Sequence, residues 1–457
     1  MRRNMCLGFV LSLACGALAA EPELETARWQ AEIDRVAAAG GGRVVVPSGR
    51  HCVGQLYLKS NVELHLQEGA VLEGAPGMCN YTVHELPFSE GTWSAVVMGL
   101  SVTNVAITGR GTVFGNGTAW PQPEEWGGNQ EGRRPRGIVF AAARDIRLED
   151  FLLRDAACWG IVLKCCDRVT ARRVRIDSHA NGNNDGFDIE ASNALFERCD
   201  VDSSDDAFVL KSNDPSFAVT NVTVRDCIAR THCCALKLGT ASHGVMSDIR
   251  FERCRVEPPR RDFVDRRRTS PHRGQPFWSG REGYADYPAG VGVAAIAVEC
   301  VDGGAVERVT CDDIEIDGCM VPIFVRGGTR TGRWCGTPPN TLYRFSDIVL
   351  RNIRGRAASA IASSVTGVDG CRVRNVTLEN VRLICRGAGE RRSREALEKP
   401  VPECAGDYPE ATMFNHILPA YGLYADRVDG LVLRNAVFSL RAGETDLRPS
   451  VSQAGVR

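Results

Sequence analysis

The chain has 457 residues, 44% of them hydrophobic and 24% charged, with a formal net charge of -1. An apolar share of that size supports a large buried core and excludes wholesale disorder. Balanced charge excludes a global field aimed at nucleic acid or an anionic membrane, so neither is an expected partner.

Residues 1–19 read as an export signal: Arg2 and Arg3, an apolar run from Met5 to Leu18, and Ala17-Leu18-Ala19 as a small-residue cleavage site. The run is too short to span a bilayer, and no later stretch is long enough. Ser12-Leu13-Ala14-Cys15 only faintly resembles a lipoprotein cleavage box. The remainder, 20–457, is expected outside the cytoplasm, secreted or periplasmic, as a monomer without a membrane span. Two of the 19 cysteines fall in the signal, which leaves an odd number. Most read as small buried hydrophobes, with one or two pairs as bridges.

Residues 22–39 carry Trp29, Ile33 and Val36 on one helical face and stop at Gly40-Gly41-Gly42. Such a helix would cover the open end of a stack of strands. From Ile146 onward one pattern recurs: apolar, any, apolar, any, any, apolar, any, apolar. Copies start at Ile146, Val169, Ala194, Val222 and Ile249, 23 to 28 residues apart, and again at Val309, Ile348, Val376 and Leu431. Each copy reads as two short strands around a polar kink. A unit this short cannot bury its own apolar face, so neighbours must stack. The spacing fits one coil of an all-β parallel β-helix and is too short for propeller blades. Cys199, Cys227 and Cys254 share one repeat position and are expected to form an interior ladder. Stretches at about 257–290 and 386–420 break the rhythm, and read as long loops of one domain spanning 20–457.

Aligning the repeats sets Asp185-Gly-Phe-Asp-Ile-Glu190, Asp206-Ala-Phe-Val-Leu-Lys211 and Cys234-Ala-Leu-Lys-Leu-Gly239 on successive coils. Phe187, Phe208 and Leu236 then stack inward. Asp185 and Asp206 occupy one corner, one rung or about 5 Å apart, with Asp205 beside them. Three carboxylates so close repel, and at least one pKa must rise. A protonated acid beside an ionised base is what glycosidic cleavage needs. Taken singly, each motif also reads as an aspartate closing a turn.

The run Asn183-Asn184-Asp185-Gly186-Phe187-Asp188-Ile189, followed by Ser204-Asp205-Asp206-Ala207, resembles the Asn-Thr-Asp and Asp-Asp motifs of glycoside hydrolase family 28. Further likeness lies in Gly40-Gly-Gly-Arg-Val-Val-Val-Pro47, Gly109-Arg-Gly-Thr112, Tyr408-Pro-Glu410 and Leu418-Pro-Ala-Tyr-Gly422. That family includes polygalacturonases and rhamnogalacturonan hydrolases. The resemblance implies a right-handed, single-stranded, pectin-lyase-like β-helix. It also implies inverting hydrolysis of a pectic polysaccharide or oligosaccharide, with no metal and no cofactor. Carried across, Asp205 is the general acid, while Asp185 and Asp206 hold and deprotonate the attacking water. Asn183, Asp188, His232 and Lys237 are the expected substrate contacts.

Two departures from the family stand out. Its Gly-His-Gly falls at Cys233-Cys234-Ala235, so Cys234 replaces the histidine and His232 is the nearest substitute. Its carboxylate-gripping Arg-Ile-Lys falls near Ala295-Ile296-Ala297, without either charge. Lys237 is left either to bind a substrate carboxylate or to form a salt bridge along the ladder, and Lys211 is expected to pair with Glu190. Arg260, Arg261, Arg266, Arg267 and Arg268 either clamp uronates or form a solvated surface. Trp278, Tyr284 and Tyr424 are either sugar-stacking rings or packing. Exo action follows if the long loops close one end of the groove. Two other classes share the fold: a calcium-dependent lyase and a non-catalytic carbohydrate-binding β-helix.

Overall fold

A computed structural model describes residues 24–123, 133–276, 288–331 and 341–457. Helix α1 (Thr26–Ala38) buries Trp29, Ile33 and Val36, the face expected from the sequence. The amides of Gly40 and Gly41 close its last turn on the carbonyls of Ala37 and Val36. Gly41 has a φ of 116°, and a Cβ there would meet Asn61 at 2.5 Å, so glycine is required.

Among the described residues the named strands form one continuous sheet whose ladders are all parallel. The repeat positions fall into register one above another. Ile146, Val169, Ala194, Val222, Ile249, Val309, Ile348, Val376 and Leu431 each pair with the next. A second row runs Ile176, Val201, Ala229, Val256 and Ile316. The third row, which positions the site, is Ile138, Ile161, Phe187, Phe208, Leu236, Ile296 and Ile323. All seven of its side chains are fully buried. The chain is a parallel β-helix with α1 over its first coil.

The polar kinks are backbone corners. Asp150, Arg173, Arg198, Asp226, Arg253, Asp313, Asn352, Asn380 and Asn435 sit at repeating kink positions with φ between 49° and 72°. Asparagine and aspartate tolerate this left-handed conformation better than most residues. The polar side chains then stack as well. Asn380 donates to Asn352 at 3.1 Å and receives from Asn435 at 2.9 Å. Arg173 and Arg253 reach back to Asp150 and Asp226 on the preceding rung.

Cys199, Cys227 and Cys254 form the expected interior ladder, each about 1% exposed. The expected bridges are corrected: no disulfide joins the cysteines among the described residues. The thiols serve as compact apolar fill within a stack held by backbone ladders. The stretch 386–420 is also corrected, since it contains helix α2 (Gly389–Glu398). From it Ala396, with Phe414, Ile417 and Leu418, packs against Ala294, Ala297, Val321 and Phe324 on the outer face of the third row's sheet. In the other stretch, Arg260 pairs with Asp200 at 2.8 Å and Arg261 with Asp177 at 2.6 Å. These arginines fasten the segment to the coils instead of standing free in solvent.

Candidate active site

Asp185 is delivered by a turn whose polar side chains are consumed in shaping it. Asn184 donates to the carbonyls of Ala156 and Cys158 at 2.9 and 3.1 Å, and its Oδ1 accepts from the Asn181 amide at 2.8 Å. Arg134 donates to the carbonyls of Ala157 and Gly182 and, at 3.2 Å, to Asn183 Oδ1. Arg266 holds Asn181 Oδ1 at 2.6 Å. Gly186 follows at a point where a Cβ would meet the Ala207 carbonyl at 2.4 Å, so this coil closes on the next only through glycine.

One coil on, the Ser204 hydroxyl donates to the Asn181 carbonyl at 2.6 Å, and the Asp206 amide donates to Asp205 Oδ1 at 2.9 Å. The coil after that supplies Thr231, whose hydroxyl donates to the Asp205 carbonyl and receives from the Cys233 amide. It also supplies both partners of Asp206: the Cys234 amide at 3.1 Å from Oδ1 and Lys237 Nζ at 2.9 Å from Oδ2. Three coils therefore bring Asp185, Asp205 and Asp206 together, with one oxygen of each within 4.8 Å of the others. Asp185 and Asp206 are buried and Asp205 is half-buried.

Burial pushes the Asp185 carboxyl well above its ordinary range, reinforced by the charges of Asp188 and Asp205 and opposed by Lys211. Asp205 is raised by burial and then by Asp206, with Lys237 opposing. Asp188 is pushed up to about 6 by burial, with Lys211 holding it down. The shifts favour the acid form of Asp185 and Asp205, and a retained proton is what a general acid requires.

Several expectations shift. Lys211 does not pair with Glu190. It sits 2.7 Å from Asp188 and 3.7 Å from Asp185, 3.9 Å from the Trp159 ring centroid. Glu190 is taken from the other side by Lys164 at 2.6 Å. Cross-strand register alone predicted the straight-across pair, whereas the long lysine side chain leans back along its strand. Lys237 makes a salt bridge, and its partner is Asp206 itself. His232 is buried, its Nε2 bonds the Arg261 carbonyl at 2.8 Å, and its ring lies 5.5 Å from that of His179. Asn183 is a turn residue with a φ of 56° whose Oδ1 is engaged by Arg134. Tyr424 is buried in the second apolar cluster, while Trp278 and Tyr284 lie outside the described residues.

The positions Ala295-Ile296-Ala297 lie where expected, with Ala297 beside Lys237. Two residues on, Glu299 is fully buried and neither carboxyl oxygen has a hydrogen-bond partner. Burial pushes it up to about 8, against the pull of Lys237. Tyr408 is half exposed, 5.9 Å from Lys237 Nζ and 5.7 Å from the Arg330 guanidinium. Sequence reasoning gave no role to Trp159 or Glu299, assigned Lys211 a different partner, and named Tyr408 only within a motif. The register pair of Lys164 with Glu190, which gives Glu190 a cation on the side away from Lys211, was the available signal.

Comparison with known proteins agrees with this geometry. Residues 39–257 match the family model of glycosyl hydrolases family 28. A polygalacturonase of Juniperus ashei is 21% identical over 291 residues, which is 62% of this chain; the chain spans about half (50%) of that relative's length. In solved structures the fold resembles a family 28 exopolygalacturonase of Yersinia enterocolitica at a TM-score of 0.62 and 17% identity, covering 96% of this chain and 76% of that one. It also resembles a hyperthermoactive exopolygalacturonase of Thermotoga maritima at a TM-score of 0.60 and 17% identity, covering 91% and 89%. The segment that matches glycosyl hydrolases family 28, residues 39–257, is the one that carries Asp185, Asp188, Asp205, Asp206, Lys211 and Lys237.

Proposed function

We propose that this protein hydrolyses glycosidic bonds of a pectic, galacturonan-type polysaccharide by acid/base catalysis with inversion, working from chain ends. The observation that carries the reading is the convergence of three aspartates from successive coils. Two of them are pushed toward the protonated form, and the third is held by Lys237 and a backbone amide.

Asp205 acts as the acid. Its proton goes to the glycosidic oxygen as the bond to the anomeric carbon breaks. A water held by Asp206 and Asp185 supplies the new bond to that carbon and passes its proton to Asp206; solvent exchange resets both groups. One water hydrogen-bonded to both groups at about 2.8 Å each, at a near-tetrahedral angle, bridges oxygens about 4.6 Å apart. The Asp185 and Asp206 oxygens lie within 4.8 Å of each other, a limit that admits such a bridge. The common rule, roughly 5–5.5 Å for retention and 6.5–9.5 Å for inversion, measures the separation of the acid's carboxyl group from the base's or nucleophile's. The 4.8 Å spacing is between nearest oxygens of all three groups, so product configuration and not this gap decides the stereochemistry.

The exo reading draws on Tyr408 beside Lys237 and on the loop reaching Phe88, whose carbonyl accepts from Lys164, as walls across the outer face of the site's sheet. No helix among the described residues is long and apolar enough to cross a membrane. The expected signal at 1–19 lies outside the described residues. Action outside the cytoplasm, by one monomeric domain spanning 20–457, is part of this proposal.

The test is product chemistry. With oligogalacturonates the purified protein should release saturated monomer or dimer, each cleavage adding one water by mass, and a calcium chelator should not slow it. Unsaturated products lost on chelation would assign a lyase. Binding without turnover in the wild type and in Asp205→Asn alike would assign a carbohydrate-binding module.

A further inference from the structure

Asp206 belongs to a second cluster that hydrolysis does not use. Cys233 and Cys234 are consecutive, and their sulfur atoms and one Asp206 oxygen all lie within 4.8 Å of one another. Neither cysteine is in a disulfide. Cys234 and Asp206 are each about 4% exposed, whereas Cys233 is half-buried and gives an ion a way in from solvent. The local charge favours a cation, because oxygens of Asp185 and Asp205 lie within 4.8 Å of an Asp206 oxygen. Lys237, on Asp206 Oδ2, is the opposing charge.

The donor set selects the ion. Calcium and magnesium take oxygen ligands, while thiolates favour zinc and softer ions. Zinc is four-coordinate, with Zn–S near 2.3 Å and Zn–O near 2.0–2.2 Å, so the three side chains need only a modest contraction. The fourth position would face the carboxylate pocket.

We propose that Cys233 Sγ, Cys234 Sγ and the Asp206 carboxylate bind one zinc-class ion, and that its occupancy stops turnover. As the two Zn–S bonds form, both thiols lose their protons to solvent. Asp206 becomes a metal ligand and is withdrawn from the attacking water. The binding half stands on the donor geometry alone; the inhibition half rests on the hydrolase reading.

X-ray absorption at the zinc edge, on the full reduced chain with one equivalent of Zn²⁺, should show two sulfurs near 2.3 Å and one or two oxygens near 2.0 Å. A shell without sulfur, or one with four sulfurs, overturns the site. Titration with Cd²⁺ gives a second readout that does not depend on turnover. The thiolate-to-cadmium absorption band should need at least 100-fold more metal in the Cys233→Ser/Cys234→Ser variant, and an unchanged titration overturns the site. Zn²⁺ should also abolish hydrolysis reversibly, each variant being compared with its own metal-free rate. Two-sulfur binding with undiminished turnover overturns the inhibition half. If no pectic substrate is cleaved at all, the hydrolase reading fails while the absorption result still decides the metal site.

Discussion

Each carboxyl in the pocket is set apart by what faces it. Asp206 has an ammonium and an amide, Asp188 has Lys211 at 2.7 Å, and the Asp185 Oδ1 has no hydrogen-bond partner. Asp205→Asn keeps an oxygen for the Asp206 amide but removes the acid proton. It should fold as the wild type does by circular dichroism, and its rate of reducing-end release should fall by roughly 10²–10⁴. Glu299 gives a pH prediction. Its carboxyl is raised from 4.5 to about 8 in the fold, so the native state binds more protons than the unfolded chain across that window. Stability is therefore fully present below about 4.5 and is lost as pH rises through about 8. Glu299→Gln should flatten this fall, seen as a smaller drop in melting temperature between those pH values; an identical drop in both proteins would remove Glu299 from the account. The positions of Asp185, Asp205 and Asp206 were legible in the sequence because coil length fixes which residues meet. The behaviour of Lys211 and His232 was not, because the direction of a long or corner side chain depends on neighbours from other coils, here Asp188, Trp159 and His179.

Among the elements, the corners carry as much information as the strands. Exposed Asn380 at a φ of 54° combines a left-handed backbone with two rungs of an asparagine ladder. Asn380→Ala should cost about 1–2 kcal/mol in denaturant unfolding, and Asn380→Gly distinctly less, since glycine removes the backbone strain but not the lost side-chain bonds. Equal losses would mean the side-chain ladder alone matters. Strand registers and α1 were readable from periodicity, which is the direct imprint of a buried face. Helix α2, Gly-Glu-Arg-Arg-Ser-Arg-Glu-Ala-Leu-Glu, was not: it buries only Ser393 and Ala396 and so shows no apolar stripe. Its run of arginine, glutamate, alanine and leucine has high helix propensity, and that was the one signal present.

At the scale of the whole molecule, the stack is what makes the site. No single coil holds all of its working parts. Asp185, the Asp205–Asp206 pair and Lys237 come from three successive turns, aligned by parallel ladders through Phe187, Phe208 and Leu236. The ladder of Cys199, Cys227 and Cys254 fits the same logic, as fill inside a core already fixed by backbone pairing. The claim on which everything depends is that two of the three aspartates direct one water onto the sugar while the third protonates the departing oxygen. Proton NMR of the first products, recorded before mutarotation, reads this directly. The account predicts the anomer opposite to that of the cleaved linkage; a product keeping the linkage's configuration would mean that one aspartate attacks the sugar itself, and would contradict it.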